Sequence, residues 1–223
     1  MLDAPQHSAR VGEKIYLRLR EDIVFGMLLP GERLTLDRMR DAYEASVGTL
    51  RENLNRLASE GLVVAEGARG FQVTPISAAN LREVAAMRCL LESQALRQSF
   101  EAGDIEWEGA VVAAHHKLSA MEGSMQAGKK SQTRAWKQYD REFHRALIAS
   151  CGSRVLLEIH AMIYDRYLRY QMVAAVYRGE IAAGEHNRLL DCALERNWKG
   201  AQETLTQHVQ GCVDHMIEKQ LVV

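Results

Sequence analysis

Residues Leu28 to Val64 (LLPGERLTLDRMRDAYEASVGTLRENLNRLASEGLVV) constrain the fold more tightly than any other stretch. Two short amphipathic segments flank Ser46-Val47-Gly48, and an apolar strand signal follows directly. Ser46 is placed to cap a new helix, its side-chain oxygen accepting an orphan backbone N–H. Leu50, Leu54 and Leu57 repeat at helical spacing and supply an inward stripe, which leaves Val47, Gly48, Thr49 and Arg51 on the first turn. The pair predicts a helix-turn-helix, whose second helix enters the major groove N-terminus first. The expected DNA-reading set is therefore Ser46, Val47, Gly48, Thr49 and Arg51.

The flanking sequence extends this module. Ile15, Leu19 and Ile23 predict a helix over about Gly12 to Phe25, after a short polar arm at residues 1 to 10, and Pro30-Gly31 folds the chain back. Leu62 to Ala65 and Phe71 to Pro75 read as two strands joined by Glu66-Gly67-Ala68-Arg69-Gly70, a hairpin wing. Arg69, beside Gly70 at the tip, is expected to reach the minor groove or a phosphate. From Ser77 onward strand signals stop and helical segments follow one another. Ser77, Asp104, Ser153 and Asn197 serve as caps, and about six helices are expected. The reading is a mostly α chain: a winged helix-turn-helix domain over residues 1 to 76, then an all-α bundle over residues 77 to 223.

Charge narrows the partner class. The chain carries a formal net charge of −1, and residues 1 to 76 hold ten Lys/Arg against eleven Asp/Glu. A nonspecific chromosome-coating protein, which rests on phosphate neutralisation, is disfavoured. DNA contact must come from a local patch of Arg38, Arg40, Arg51 and Arg69. The four cysteines lie far apart, and no membrane-length apolar run or apolar leader is read, so a reduced cytoplasmic protein with no membrane partner is expected.

These pieces, in this order, resemble the GntR family of bacterial transcription regulators, in its FadR-like subfamily with an all-helical C-terminal effector domain. The N-terminal likeness rests on Pro30-Gly31-Glu32-x-Leu34, Leu50-Arg51-Glu52 followed by Leu54, Ser59-Glu60-Gly61-Leu62-Val63 and Arg69-Gly70-Phe71-x-Val73. The C-terminal likeness rests on Arg88-x-x-x-Glu92, Asp140-x-x-Phe143-His144, Glu185-His186 and His208. Two departures matter. Val47 stands where the family commonly has an arginine after the turn serine, so the operator should differ, and Cys151-Gly152-Ser153 replaces a common Gly-Asn.

Asp140 and His144, four apart on one helix, project a carboxylate and an imidazole from the same face. Spacing alone leaves this open between a metal site and a surface Asp-His pair. The resemblance implies a metal site formed by Asp140, His144, His186 and His208. Those donors suit zinc, nickel, manganese or iron without choosing among them. The resemblance also points Arg88 into the same cavity as a clamp for a small organic acid effector, although Arg88 and Glu92 can equally form an intrahelical ion pair. Arg169, near Tyr167 and Tyr170, is a second expected anchor. His115, His116, His160, His215 and His7 have no partners at ligand spacing and read as structural or exposed.

The function implied is a homodimeric regulator, more specifically a repressor, binding a palindromic double-stranded operator under control of a small carboxylate. The alternative is a metal-dependent enzyme acting on a small organic acid, with the N-terminal module as an accessory. It lacks a nucleophile motif, a phosphate-cradling loop and any general base beyond Glu185.

Overall fold

The computed structural model describes residues 4–67, 70–174 and 176–222, apart from the side chains of residues 4–10 and Lys130. The chain divides into two compact units. The first comprises Met1–Ser77 with Leu168–Val173, the second Ala78–Tyr167 with Ala174–Val223.

In the first unit, helix α1 (Ala4–Val24) precedes strand β1 (Arg33–Leu34), helices α2 (Leu36–Tyr43) and α3 (Val47–Ser59), and strands β2 (Val63–Ala65) and β3 (Phe71–Val73). The helix begins well before Gly12, inside the segment read as an arm. Pro5 lies in its first turn, where the missing N–H sacrifices no intrahelical bond. The strands form an antiparallel sheet in the order β1-β3-β2, with Leu34 opposite Phe71 and Val63 opposite Val73. The third strand, β1, is a two-residue addition that no periodicity signals. Gly70, at φ +90°, closes the wing by donating its N–H to Gly67 and accepting from Glu66. Only glycine adopts that conformation without strain.

Leu19 and Ile23 of α1 pack with Leu50, Leu54 and Leu57 of α3, all fully buried, and Leu34, Phe71 and Val73 bring the sheet into the same core. Two polar ties fix the helices. Tyr16 Oη donates to Glu60 (2.5 Å) and Tyr43 Oη to Asp22 (2.6 Å). Burial, together with the Glu60 carboxylate, pushes the Tyr16 hydroxyl up to about 12.

The second unit is helical: α4 (Ala78–Ala102), α5 (Ile105–Gln126), a 3-10 turn (Lys130–Gln132), α6 (Thr133–Ile148), α7 (Arg154–Val173, leaving the unit after Tyr167), α8 (Glu180–Leu194) and α9 (Trp198–Glu218). Three expected caps are present. Asp104 accepts from Trp107 N, Ser153 from Leu156 N and Asn197 from Gly200 N, each cap contributing about 1 kcal/mol. Helix α5 packs on α6 and α8, while α4 packs on α9 and α6. The buried stripe of α6 runs Trp136, Asp140, Phe143, His144 and Leu147. Asp140 and His144 thus occupy core positions on this face, with Lys137 buried one turn before them. No helix among the described residues is long and apolar enough to cross a membrane.

Candidate functional site

That polar pair lies at the centre of the bundle. Asp140 and His144 from α6, His186 from α8 and His208 from α9 are all buried, and one ligand atom from each lies within 4.8 Å of the others. The imidazole rings crowd together, with centroids 5.3 Å apart for His144 and His208 and 4.7 Å for His186 and His208. Phe143 caps two of them edge-on.

What surrounds the rings decides how they point. Each Nδ1 meets a carboxylate oxygen: His144 on Glu92 (2.5 Å), His186 on Glu122 (2.6 Å) and His208 on Glu185 (2.8 Å). An ionised carboxylate only accepts, so each Nδ1 carries the proton and each Nε2 of a neutral ring presents a lone pair. Those three Nε2 atoms and Asp140 Oδ1 are buried without a hydrogen-bond partner. The other Asp140 oxygen is held by Tyr164 Oη (3.0 Å) and faces Lys137 Nζ (3.5 Å).

Leaving a buried polar atom unsatisfied costs about 1 to 3 kcal/mol. Four such atoms would approach the whole stability of an ordinary domain, about 5 to 15 kcal/mol. A cation is the natural partner for them. Neutral imidazoles oriented by carboxylates, plus one carboxylate, are a donor set for a divalent transition metal, and the set fits that group. Electrostatics agree for two of the rings. Burial pushes His208 down to about 3 and lowers His144, keeping both neutral. At His186 burial also opposes the charge, but Asp140 and Glu122 outweigh it and raise the ring to about 9. With Asp140 Oδ1 only 3.2 Å from its Nε2, a proton there takes the place a metal ion would fill.

The supporting carboxylates are themselves tied down. Glu185 is gripped by Arg178 through two oxygens (2.8 and 3.0 Å), and Arg178 also donates to His208 O (3.0 Å). A Cβ at Gly211 would lie 2.7 Å from that guanidinium, so glycine makes room for it. Replacing Glu122 with glutamine keeps an acceptor for His186 but removes the charge that makes the imidazole a better donor. It should weaken metal affinity about tenfold in a competition titration with a chromophoric chelator, and an unchanged affinity would count against this role.

Glu92 joins the centre to its surroundings. Besides His144 it accepts from Arg88 Nε (3.0 Å) and His160 Nε2 (3.0 Å). Of the two readings of Arg88, the ion pair is the one present. Nη1 and Nη2 remain buried without hydrogen-bond partners, and the guanidinium lies over the rings of Tyr164 (4.4 Å) and Tyr167 (4.7 Å). His160, expected to be structural or exposed without a ligand-spaced partner, is buried and bonded to Glu92. Glu122, Lys137, Tyr164 and Arg178 carried no motif to single them out.

Arg169 goes elsewhere. It lies five residues beyond Tyr164, about 140° further round the helix. It belongs to the first unit, where Nη1 donates to Thr74 O (2.9 Å), and it is not among the groups around the centre.

In the first unit, Ser46 caps α3 by accepting from Thr49 N (3.1 Å), and its Oγ also meets Thr49 Oγ1 (2.9 Å). Val47, Gly48 and Arg51 are exposed, and Thr49 is half-buried. Arg51 has no hydrogen bond or ion pair among the described residues. Asn55, one turn further on the same face, is also exposed and was not anticipated. Arg38 is paired with Glu32 (2.8 Å) and Arg40 with Asp41 (3.1 Å), so two of the four arginines of the expected basic patch already have acidic partners. Gly70 lies at the base of the wing turn, and Arg69 falls outside the described residues.

Sequence comparison matches residues 83–211 to the FCD domain and residues 11–73 to bacterial regulatory proteins, gntR family. The chain is 37% identical over 203 residues to the uncharacterized HTH-type transcriptional regulator BphR of Paraburkholderia xenovorans, covering 90% of this chain and 83% of that one. It is 30% identical over 200 residues to the HTH-type transcriptional repressor GlaR of Escherichia coli, covering 87% and 90%. Among solved structures, E. coli McbR/YncC superimposes with a TM-score of 0.80 over 94% of this chain and 98% of that chain, at 19% identity. That likeness concerns the fold.

Proposed function

The chain belongs to the GntR family of transcription regulators and carries an FCD domain, and from that premise we propose that it is a homodimeric repressor whose helical unit holds a divalent metal and a small carboxylate. The observation that carries the metal is the convergence of three Nε2 lone pairs and Asp140 Oδ1, each buried without a hydrogen-bond partner and each imidazole backed by a carboxylate. When bound, the metal supplies Lewis acidity and open coordination positions for an acidic ligand.

This chain's own residues do the rest. Arg88 turns two free N–H groups toward the same interior and matches the two oxygens of a carboxylate. Glu92 links that clamp to His144, so drawing Arg88 toward a ligand alters the bond that orients a metal-binding ring. In the first unit, Arg51 and Asn55 offer base-edge donors and acceptors, Ser46 and Thr49 frame the helix start, and Val47 can only touch a thymine methyl or the backbone. One such helix reads few base pairs. Two related by a twofold read a palindrome, and an effector that shifts their relation needs only about 1 to 3 kcal/mol of coupling. The repressor assignment follows the name of the relative GlaR. Relatives and matching folds are regulators, which leaves the enzyme alternative without support.

A thermal-shift screen of mono-, di- and tricarboxylates, with and without chelator, tests the reading. One acid class should raise the midpoint, and the shift should vanish on chelation. Metal present with no acid shifting the midpoint would sink the metal-centred effector.

A further inference from the structure

A second compartment lies outside the metal centre, between the end of α6 and the start of α7. It is a cavity of about 460 Å³ whose wall includes Arg141, Arg145, Arg154, Leu157, His160 and Tyr164, and none of the four metal-site donors nor Arg88 lines it. Its volume is that of a small-molecule site, within about 300 to 1,000 Å³.

The charges in the wall are unequal in availability. Arg141 is committed to the buried Asp165 (3.0 Å) and Arg154 to Glu158 (2.7 Å). Arg145, exposed in the last turn of α6, has no ion pair or hydrogen bond among the described residues. One uncompensated guanidinium calls for one negative charge. Much of the remaining wall is apolar: Ile148, Ala149, Leu157, Ala161 and the ring of Tyr164. Such a surface rewards an apolar body, while Glu158 in the same wall, already paired with Arg154, disfavours a second negative charge.

We propose that this cavity binds a monocarboxylate with an apolar body, an aryl or medium-chain acid, with its carboxylate on Arg145 and its body between Ile148, Leu157 and Ala161. The site is distinct from the metal centre, but two of its wall residues also touch groups of that centre. Tyr164 holds Asp140 Oδ2 (3.0 Å), and His160 holds Glu92, which orients His144. An occupant therefore leans on two groups that support the centre, and it acts as a second input to the same helical unit.

Calorimetric titration of the full-length protein with octanoate and phenylacetate tests this, using octanamide, phenylacetamide and succinate as controls. Saturable binding of both acids is expected, with neither the amides nor succinate competing. Arg145→Ala should weaken it about tenfold or more, because the charge-assisted contact is lost at an exposed position that does not threaten folding. Ala161→Phe, which fills the cavity and leaves the charge, should abolish it. Binding should persist in chelator, whether or not the metal reading holds. The proposal is overturned if neither acid binds, if the amides bind as well as the acids, or if Arg145→Ala has no effect. Loss of binding on chelation also overturns it, since that places the acid on the metal.

Discussion

His144→Ala is expected to lower affinity for a divalent metal by about 100-fold or more, a larger effect than the 10- to 100-fold typical of losing an orienting partner. The ring contributes one of four convergent donors, and its loss also strips Glu92 of its 2.5 Å contact while leaving that carboxylate buried beside Arg88 and His160. Metal content after dialysis, read by elemental analysis, is the direct measure. The same argument gives a stability readout. A metal present at about 100 times its dissociation constant stabilises the native state by about 2.7 kcal/mol. In a chain of this size that corresponds to roughly 5 to 11 °C in the unfolding midpoint. Chelation should remove this from the wild type and leave His144→Ala almost unmoved. Full metal retention by the variant would refute the four-donor centre. DNA binding by the variant should survive in its metal-free form, because Ser46, Arg51 and Asn55 belong to the other compact unit.

The sequence shows the second helix of the helix-turn-helix and the Asp140–His144 pair clearly, because both are local. Ser46 announces a cap three residues before the N–H it satisfies, and Asp140 with His144 share a face because four residues make about one turn. His186 and His208 became partners only through the resemblance. Their separation of more than twenty residues says nothing about where α8 and α9 will lie. Partner carboxylates were harder still. Glu185 is adjacent to His186, yet it serves His208, since neighbours on a helix point about 100° apart. Glu122 has no motif at all, and tertiary packing of α5 on α8 alone brings it to His186.

Arg169 is held elsewhere for a related reason. An aromatic and basic helix offers several possible inward stripes: Tyr164, Tyr167, Arg169 and Tyr170 are all buried, and it is Tyr164 and Tyr167 that lie under Arg88. In the first unit the two-residue β1 is too short to show alternation. The start of α1 was concealed by a polar opening whose one signal was Pro5.

Arg51→Ala should weaken binding to the cognate operator by about 1 to 3 kcal/mol, or roughly 5- to 150-fold, in a fluorescence-anisotropy titration at fixed salt. Two features make this substitution informative. Arg51 is exposed and has no partner among the described residues, so its removal should change folding stability by no more than about 0.5 kcal/mol. Any loss of affinity then belongs to the interface. Arg38 provides the contrast. Its guanidinium is already engaged by Glu32 at 2.8 Å, and Arg38→Ala should cost less because part of the charge it brings to DNA is cancelled in the free protein. The salt dependence separates two roles for Arg51. A base-edge contact relaxes sequence preference at one position of the site and leaves the slope of log affinity against log salt nearly unchanged. A phosphate contact weakens all sequences alike and reduces the slope by about one unit. With the Val47 side chain unable to donate a hydrogen bond in the first turn, base discrimination is expected to fall on Arg51 and Asn55. Identical affinities of wild type and Arg51→Ala for the operator and for random DNA would remove α3 as the reading helix.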